Sequence, residues 1–164
     1  MITHHTHLEI SEDNLASMEA YATKNDNPIV MVNLMNVREV AKYEDRTVPS
    51  CSGYEAFTRY TKDSSEVREQ SGAKLLWSGK AHQMPIGPSE KIWHMVALMW
   101  DPNAQAYLTM KATKAYQAAR VHRTAALYDS RLIMATPNAV SYTHLRAHET
   151  EADLVCRLLL EKKK

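Results

Sequence analysis

Six side chains in this sequence are of types that could move a proton or grip a ligand. His94 stands inside the apolar run KIWHMVALMW. A histidine held there beside a partner can be tuned towards neutrality, as a general base requires. The bland alternative is a satisfied core histidine. His122 and Arg123 are adjacent, and Asp129 and Arg131 follow close behind. Arg123 or Arg131 could clamp a carboxylate through two parallel hydrogen bonds, or else form a salt-bridged helix end. Asn33 interrupts IVMVNLMNV. A buried amide without partners costs about 1–3 kcal/mol, so Asn33 reads as a pocket anchor or as a bond to a nearby loop. Trp77, like Trp93, Tyr60 and Tyr107, suits the core, a subunit contact or an apolar pocket wall. His94 and His122 are therefore the candidate catalytic residues; Asn33, Arg123, Arg131 and Trp77 are the candidate ligand-binding residues.

Other signals are weaker. His4, His5 and His7 form a His-rich start, but no cysteine or carboxylate pattern completes a metal site, so no metal and no cofactor is expected. Cys51 stands one residue before a helix start, where a thiol can be activated, yet no histidine is adjacent. There is no P-loop, G-x-G-x-x-G, H-E-x-x-H or G-x-S-x-G motif. The formal net charge of +1 gives no reason to expect nucleic acid or an acidic membrane surface. No apolar run reaches the ~18 residues of a membrane span, and no apolar signal core opens the chain, so a cytoplasmic protein is expected. With 164 residues, 45% hydrophobic, the chain suits one globular domain that needs no disulfide framework.

The elements that must position these side chains alternate between strand and helix. Residues 6–10 fit a short edge strand. Ser11 before Glu12 and Asp13 caps a helix running to about Lys24, where Asn25, Asp26, Asn27 and Pro28 break it. Ile29–Val37 is apolar on both faces and predicts a central strand. Residues 38–51 read as a loop with a helical turn near Ala41. Ser52 and Glu55 form a capping box for a helix that Gly72 ends. Residues 73–82 return as a strand, Pro85, Gly87 and Pro88 turn, and residues 91–100 form the next strand. Asp101 as N-cap with Pro102 at the first helical position opens a helix through Lys111. A second helical segment follows over 114–128, Asp129 and Ser130 turn, and residues 131–136 form the last strand.

From about residue 28 the order is β-α-β-β-α-β, a ferredoxin-like split βαβ unit. This predicts an α+β fold: a four-stranded antiparallel sheet with helices on one face. Strands apolar on both sides need a second covering, which a twin copy supplies; the expectation is a homodimer forming a dimeric α/β barrel.

The segments NPIVMVNLMNVRE, SGYEAFTRY, GAKLLWSGKA and AYQAARVHRTAALYDSRLI resemble the bacterial family numbered 1330 among domains of unknown function, within the dimeric α/β-barrel superfamily. The resemblance spans about 28–136. It implies a ferredoxin-like dimer and supplies no catalytic set. Relatives in the superfamily include cofactor-free monooxygenases, isomerases, haem proteins and binding proteins, and fold does not choose among them.

The last stretch, VSYTHLRAHETEADLVCRLLLEKKK, resembles the translation of a transposon-type sequencing adapter. Back-translation of 140–149 and 153–160 yields the adapter's two halves. About eight bases lie between them, the length of a sample index; the adapter is an engineered scar, of the kind excluded from fold reasoning. Residues 140–164 are therefore read as a non-native tail, 1–27 as an N-terminal extension with a short helix, and 28–138 as the ferredoxin-like domain. The expected function is binding of a small apolar molecule between sheet and helices. The alternative is a cofactor-free enzyme, of monooxygenase or isomerase type, acting on a small aromatic or apolar substrate.

Overall fold

The computed structural model describes residues 6–45, 47–88, 90 and 92–137; the tail expected over 140–164 and His4 and His5 lie outside them. The elements in chain order are α1 (Glu12–Ala22), β1 (Ile29–Val37), α2 (Gly53–Gln70), β2 (Lys74–Lys80), β3 (Met95–Asp101), α3 (Ala104–Ala112), α4 (Lys114–Ala126) and β4 (Leu127–Ala135). The strands form one antiparallel sheet in the order β2-β3-β1-β4. This is the ferredoxin-like α+β arrangement, with α1 as an addition before it.

Local chemistry explains most element ends. Ser11 caps α1 through Asn14 N–H. Ser52 accepts from Glu55 N–H while the Glu55 carboxylate accepts from Ser52 N–H, a complete capping box. Gly53 opens α2 because a Cβ there would strike the carbonyl oxygens of Arg38 and Ala126. Gly72, at φ 80°, ends α2 in the left-handed conformation that glycine adopts without penalty.

Register divides the side chains of the sheet. Met31 pairs with Met99 and Met134, Asn33 with Ala97 and Leu132, and Met35 with Met95 and Ser130. These positions share the face that packs under helices, and all four helices contribute side chains to the space above it. Val30, Val32 and Leu34, with Val96, Leu98 and Ile133 opposite them, share the other face. That face is apolar: Ile133 is 53% and Trp77 49% exposed.

Several boundaries differ from the sequence reading. Residues 6–10 form no strand, although Ser130 N–H donates to His7 O along the free edge of β4. No helical turn forms near Ala41; Val40 instead bridges Ser52. β3 starts at Met95, so His94 precedes the strand instead of lying within it. Asp101 is not an N-cap. It is the last residue of β3, and Asn103 caps α3 by accepting from Ala106 N–H. Asp129 and Ser130 do not turn, because β4 begins at Leu127, directly after α4, and an irregularity between Asn36 and Val37 absorbs the change of register.

Candidate functional site

Beneath the helices lies a half-open cavity of about 630 Å³. Its floor is the inner face of the sheet, where Met31, Met35, Met95, Met99 and Met134 lie at alternate strand positions. Methionine is unbranched and polarizable, so such a floor adapts to varied apolar shapes and favours aromatic rings. The long apolar run of β1 therefore supplies two surfaces, one methionine-rich for the cavity and one branched for the outer face.

The side wall is the N-terminal arm. His7 N–H donates to Asp129 Oδ1 at 2.8 Å. The Glu9 carboxylate meets Arg120 at 2.8 Å and accepts from Thr124. Arg123 donates to Leu8 O at 2.9 Å and to Ser130 Oγ at 3.2 Å. Residues 7–10 and Met18 of α1 thus belong to the cavity wall, although the sequence sets residues 1–27 apart as an extension.

Polar groups converge at one end. The hydroxyls of Tyr60 and Tyr116 are 3.2 Å apart. The Arg68 guanidinium lies over the Tyr60 ring, 4.8 Å from its centroid. Burial alone would push the Tyr60 phenol up. The positive charges of Arg68 and Arg123, with hydrogen bonds from Tyr116 and Arg68, outweigh it and hold Tyr60 below the usual phenol range. Tyr107 and Tyr116 are pushed up, chiefly by burial. Burial also lowers Lys111, whose ammonium stands 5.8 Å from the Tyr107 ring centroid.

Asp101 closes this end. It is 2% exposed, lines the cavity, and its Oδ1 has no hydrogen-bond partner among the described residues. Burial pushes its carboxyl up to about 6, against the opposing pull of Arg68. Ser78 Oγ is a second buried atom on the wall with no hydrogen-bond partner among the described residues.

Of the six residues singled out in the sequence, three line the cavity: Asn33, Arg123 and Arg131. Asn33 Nδ2 donates to Met31 O at 3.2 Å. Arg131 stands opposite Leu34 in the sheet register; its guanidinium pairs with Asp129 and lies 5.7 Å from the Trp93 ring centroid. The other three lie elsewhere. His94 Nδ1 accepts from Val37 N–H at 3.0 Å, a bond that ties the approach to β3 onto β1. His122 is on the outside of α4, with Nδ1 2.8 Å from the Tyr43 hydroxyl and Nε2 3.3 Å from Asp63 Oδ2. Trp77 pairs with Leu98 on the outer face of the sheet.

Sequence reading missed Arg68 and Asp101. Arg68 sits in the polar helix stretch TKDSSEVREQ and looks solvated there. Asp101 before Pro102 carries the signature of a cap. The one available hint was the position of Asp101 at the end of an apolar strand, where a carboxylate is easily buried.

No family model and no curated protein matches the chain. Its fold aligns with the crystal structure of the methylated RPA0582 protein at 33% identity and a TM-score of 0.77, over 83% of this chain and 98% of that one. A crystal structure of RPA0582 from Rhodopseudomonas palustris, a structural genomics target of unknown function, aligns at 34% identity and 0.75, over 82% and 98%. A dimeric protein of unknown function and ferredoxin-like fold from Bacteroides fragilis aligns at 11% identity and 0.44, over 67% and 96%. That last likeness adds nothing to the topology already traced. No family model bears out the resemblance to the family numbered 1330; the likeness shown is to these uncharacterised proteins.

Proposed function

The chain belongs to the family of the RPA0582 protein of Rhodopseudomonas palustris, and from that footing, which supplies no activity, we propose that it binds a small, largely apolar molecule between sheet and helices. The observation that carries this reading is the methionine-floored cavity of about 630 Å³. Ligand pockets run to roughly 300–1,000 Å³ with apolar walls and a few convergent polar groups. Native mass spectrometry of the purified chain tests it. The expected result is a mass excess of a co-purifying small molecule that disappears on denaturation. A chain that shows no such excess and takes up no apolar probe refutes the reading.

A second reading is a cofactor-free enzyme. Asp101 near pH 6 and Tyr60 below its usual range are two proton-handling groups in one cavity. Groups whose surroundings move them towards neutrality suit acid–base work. In this reading Asp101 takes the part first assigned to His94 or His122, neither of which lines the cavity, and Arg68 steadies an oxyanion. Exchange of the acidic C–H of 2-tetralone with deuterated water, faster with the chain than without, is its readout.

We also propose a homodimer through the outer sheet face. Val32, Leu34, Val96 and Leu98 there are only half-buried, and Trp77 and Ile133 are exposed. A contiguous apolar patch of this kind marks an interaction surface, and a second identical sheet matches it in shape and strand twist. Among the described residues no helix is long and apolar enough to cross a membrane.

A further inference from the structure

We propose that the ligand of this cavity is a phenol, a ring on the methionine floor with its hydroxyl donating to Asp101 Oδ1. The inference rests on the apolar-binding reading above and names its head group. Asp101 Oδ1 is an orphaned acceptor in a side chain that is 2% exposed and lines the cavity. A buried acceptor left unsatisfied is expensive to a fold, and one kept on a cavity wall is a group that a ligand can complete. The missing partner must therefore be a donor.

Charge decides which donor. Arg68, Lys111, Arg120, Arg123 and Arg131 line the cavity with the carboxylates Asp101 and Glu9; Arg120 is paired with Glu9 and Arg131 with Asp129, and the balance stays positive. Glu9 is already held by Arg120 and Thr124. An ammonium ligand would enter a field of its own sign, with Arg68 close enough to act on Asp101. A carboxylate ligand would face Asp101 with like charge. A neutral hydroxyl meets neither objection. A phenol is favoured over an alcohol because its O–H is the stronger donor. The negative charge that gathers on its oxygen is also stabilised by the nearby guanidinium. Tyr60 and Tyr107, both buried against this end, offer ring edges to an aromatic guest.

The test uses 2-naphthol, naphthalene and 1-naphthylmethylamine, measured by calorimetry on the full chain near pH 7.5. 2-Naphthol is expected to bind about tenfold or more tightly than naphthalene, the difference one hydrogen bond to a charged acceptor makes. The amine, cationic at this pH, is expected to bind weakest. In Asp101→Leu, which offers no acceptor, the naphthol preference should fall to within about twofold while naphthalene still binds. Asp101→Asn, which keeps the shape and a weaker acceptor, should give an intermediate preference and serves if the leucine variant fails to fold. Equal binding of naphthol and naphthalene to the wild type overturns the phenol inference alone. A preference that survives in full in the Asp101 variants overturns it too. Failure of every probe to bind the wild type overturns the cavity reading and the phenol with it.

Discussion

Replacing Asp101 with asparagine is expected to stabilise the protein at neutral pH and to lose that gain in acid. The folded chain holds this carboxyl at about 6 against an ordinary value of 3.8, and burial is the main cause. The folded state therefore binds more protons than the unfolded state between those two values, and wild-type stability rises as the pH falls through 6. Above 6 the penalty of a buried carboxylate is fully present; below 3.8 it is gone. At 1.36 kcal/mol per pH unit the penalty is on the order of 3 kcal/mol. Asparagine has nearly the same shape and no charge, but its amide N–H groups need partners at the same buried position, which offsets on the order of 1 kcal/mol. The net gain expected above pH 7 is thus ~2 kcal/mol, or very roughly 4–8 °C in Tm for a chain of this size. Denaturant unfolding of both proteins at pH 7.5, 5.5 and 4 measures it, and the difference between them cancels all other titrating groups. A difference that does not shrink as the pH falls, or an asparagine variant less stable than wild type at pH 7.5, would refute the argument. Such a gain in stability with a loss of ligand preference is what a strained binding group produces when it is removed.

Other perturbations separate the remaining claims. Gly53→Ala should cost about 3 kcal/mol or more, since the new methyl meets two backbone carbonyls that cannot rotate away; thermal unfolding reports it. Ala97→Phe, on the inner face beside Asn33, should fill the cavity and abolish naphthalene uptake while the far-ultraviolet circular dichroism stays unchanged; retained uptake would place the ligand elsewhere. Ile133→Lys on the outer face should turn the proposed dimer into a folded monomer by analytical ultracentrifugation, and an unaltered dimer would mean another surface joins the copies.

Much of the frame was legible from neighbouring residues. Ser11 and the Ser52–Glu55 capping box mark helix starts because a cap is made within four residues of itself. Gly72 marks a helix end because only its own φ decides whether the chain can turn there. Ile29–Val37 reads as a central strand because, apart from Asn33 and Asn36, it is apolar on both sides. The order of these elements was enough for the α+β class.

The site was another matter. Asp101 before Pro102 has the local grammar of a helix cap, and only pairing with Ile29 shows that it ends a buried strand. His94 and His122 have the side chains of general bases, but one is spent on the Val37 N–H and the other on Tyr43 and Asp63, both outside the cavity. Arg68 looks solvated in its helix until α2 is laid over the sheet and turned so that the guanidinium covers Tyr60. Local sequence determined where elements begin and end, because those choices are settled by hydrogen bonds between residues a few places apart. The tertiary structure alone decided which charges lose their water together, because desolvation depends on what the rest of the chain packs above a residue, and Arg68, Asp101 and Arg123 are brought to one cavity from three different elements.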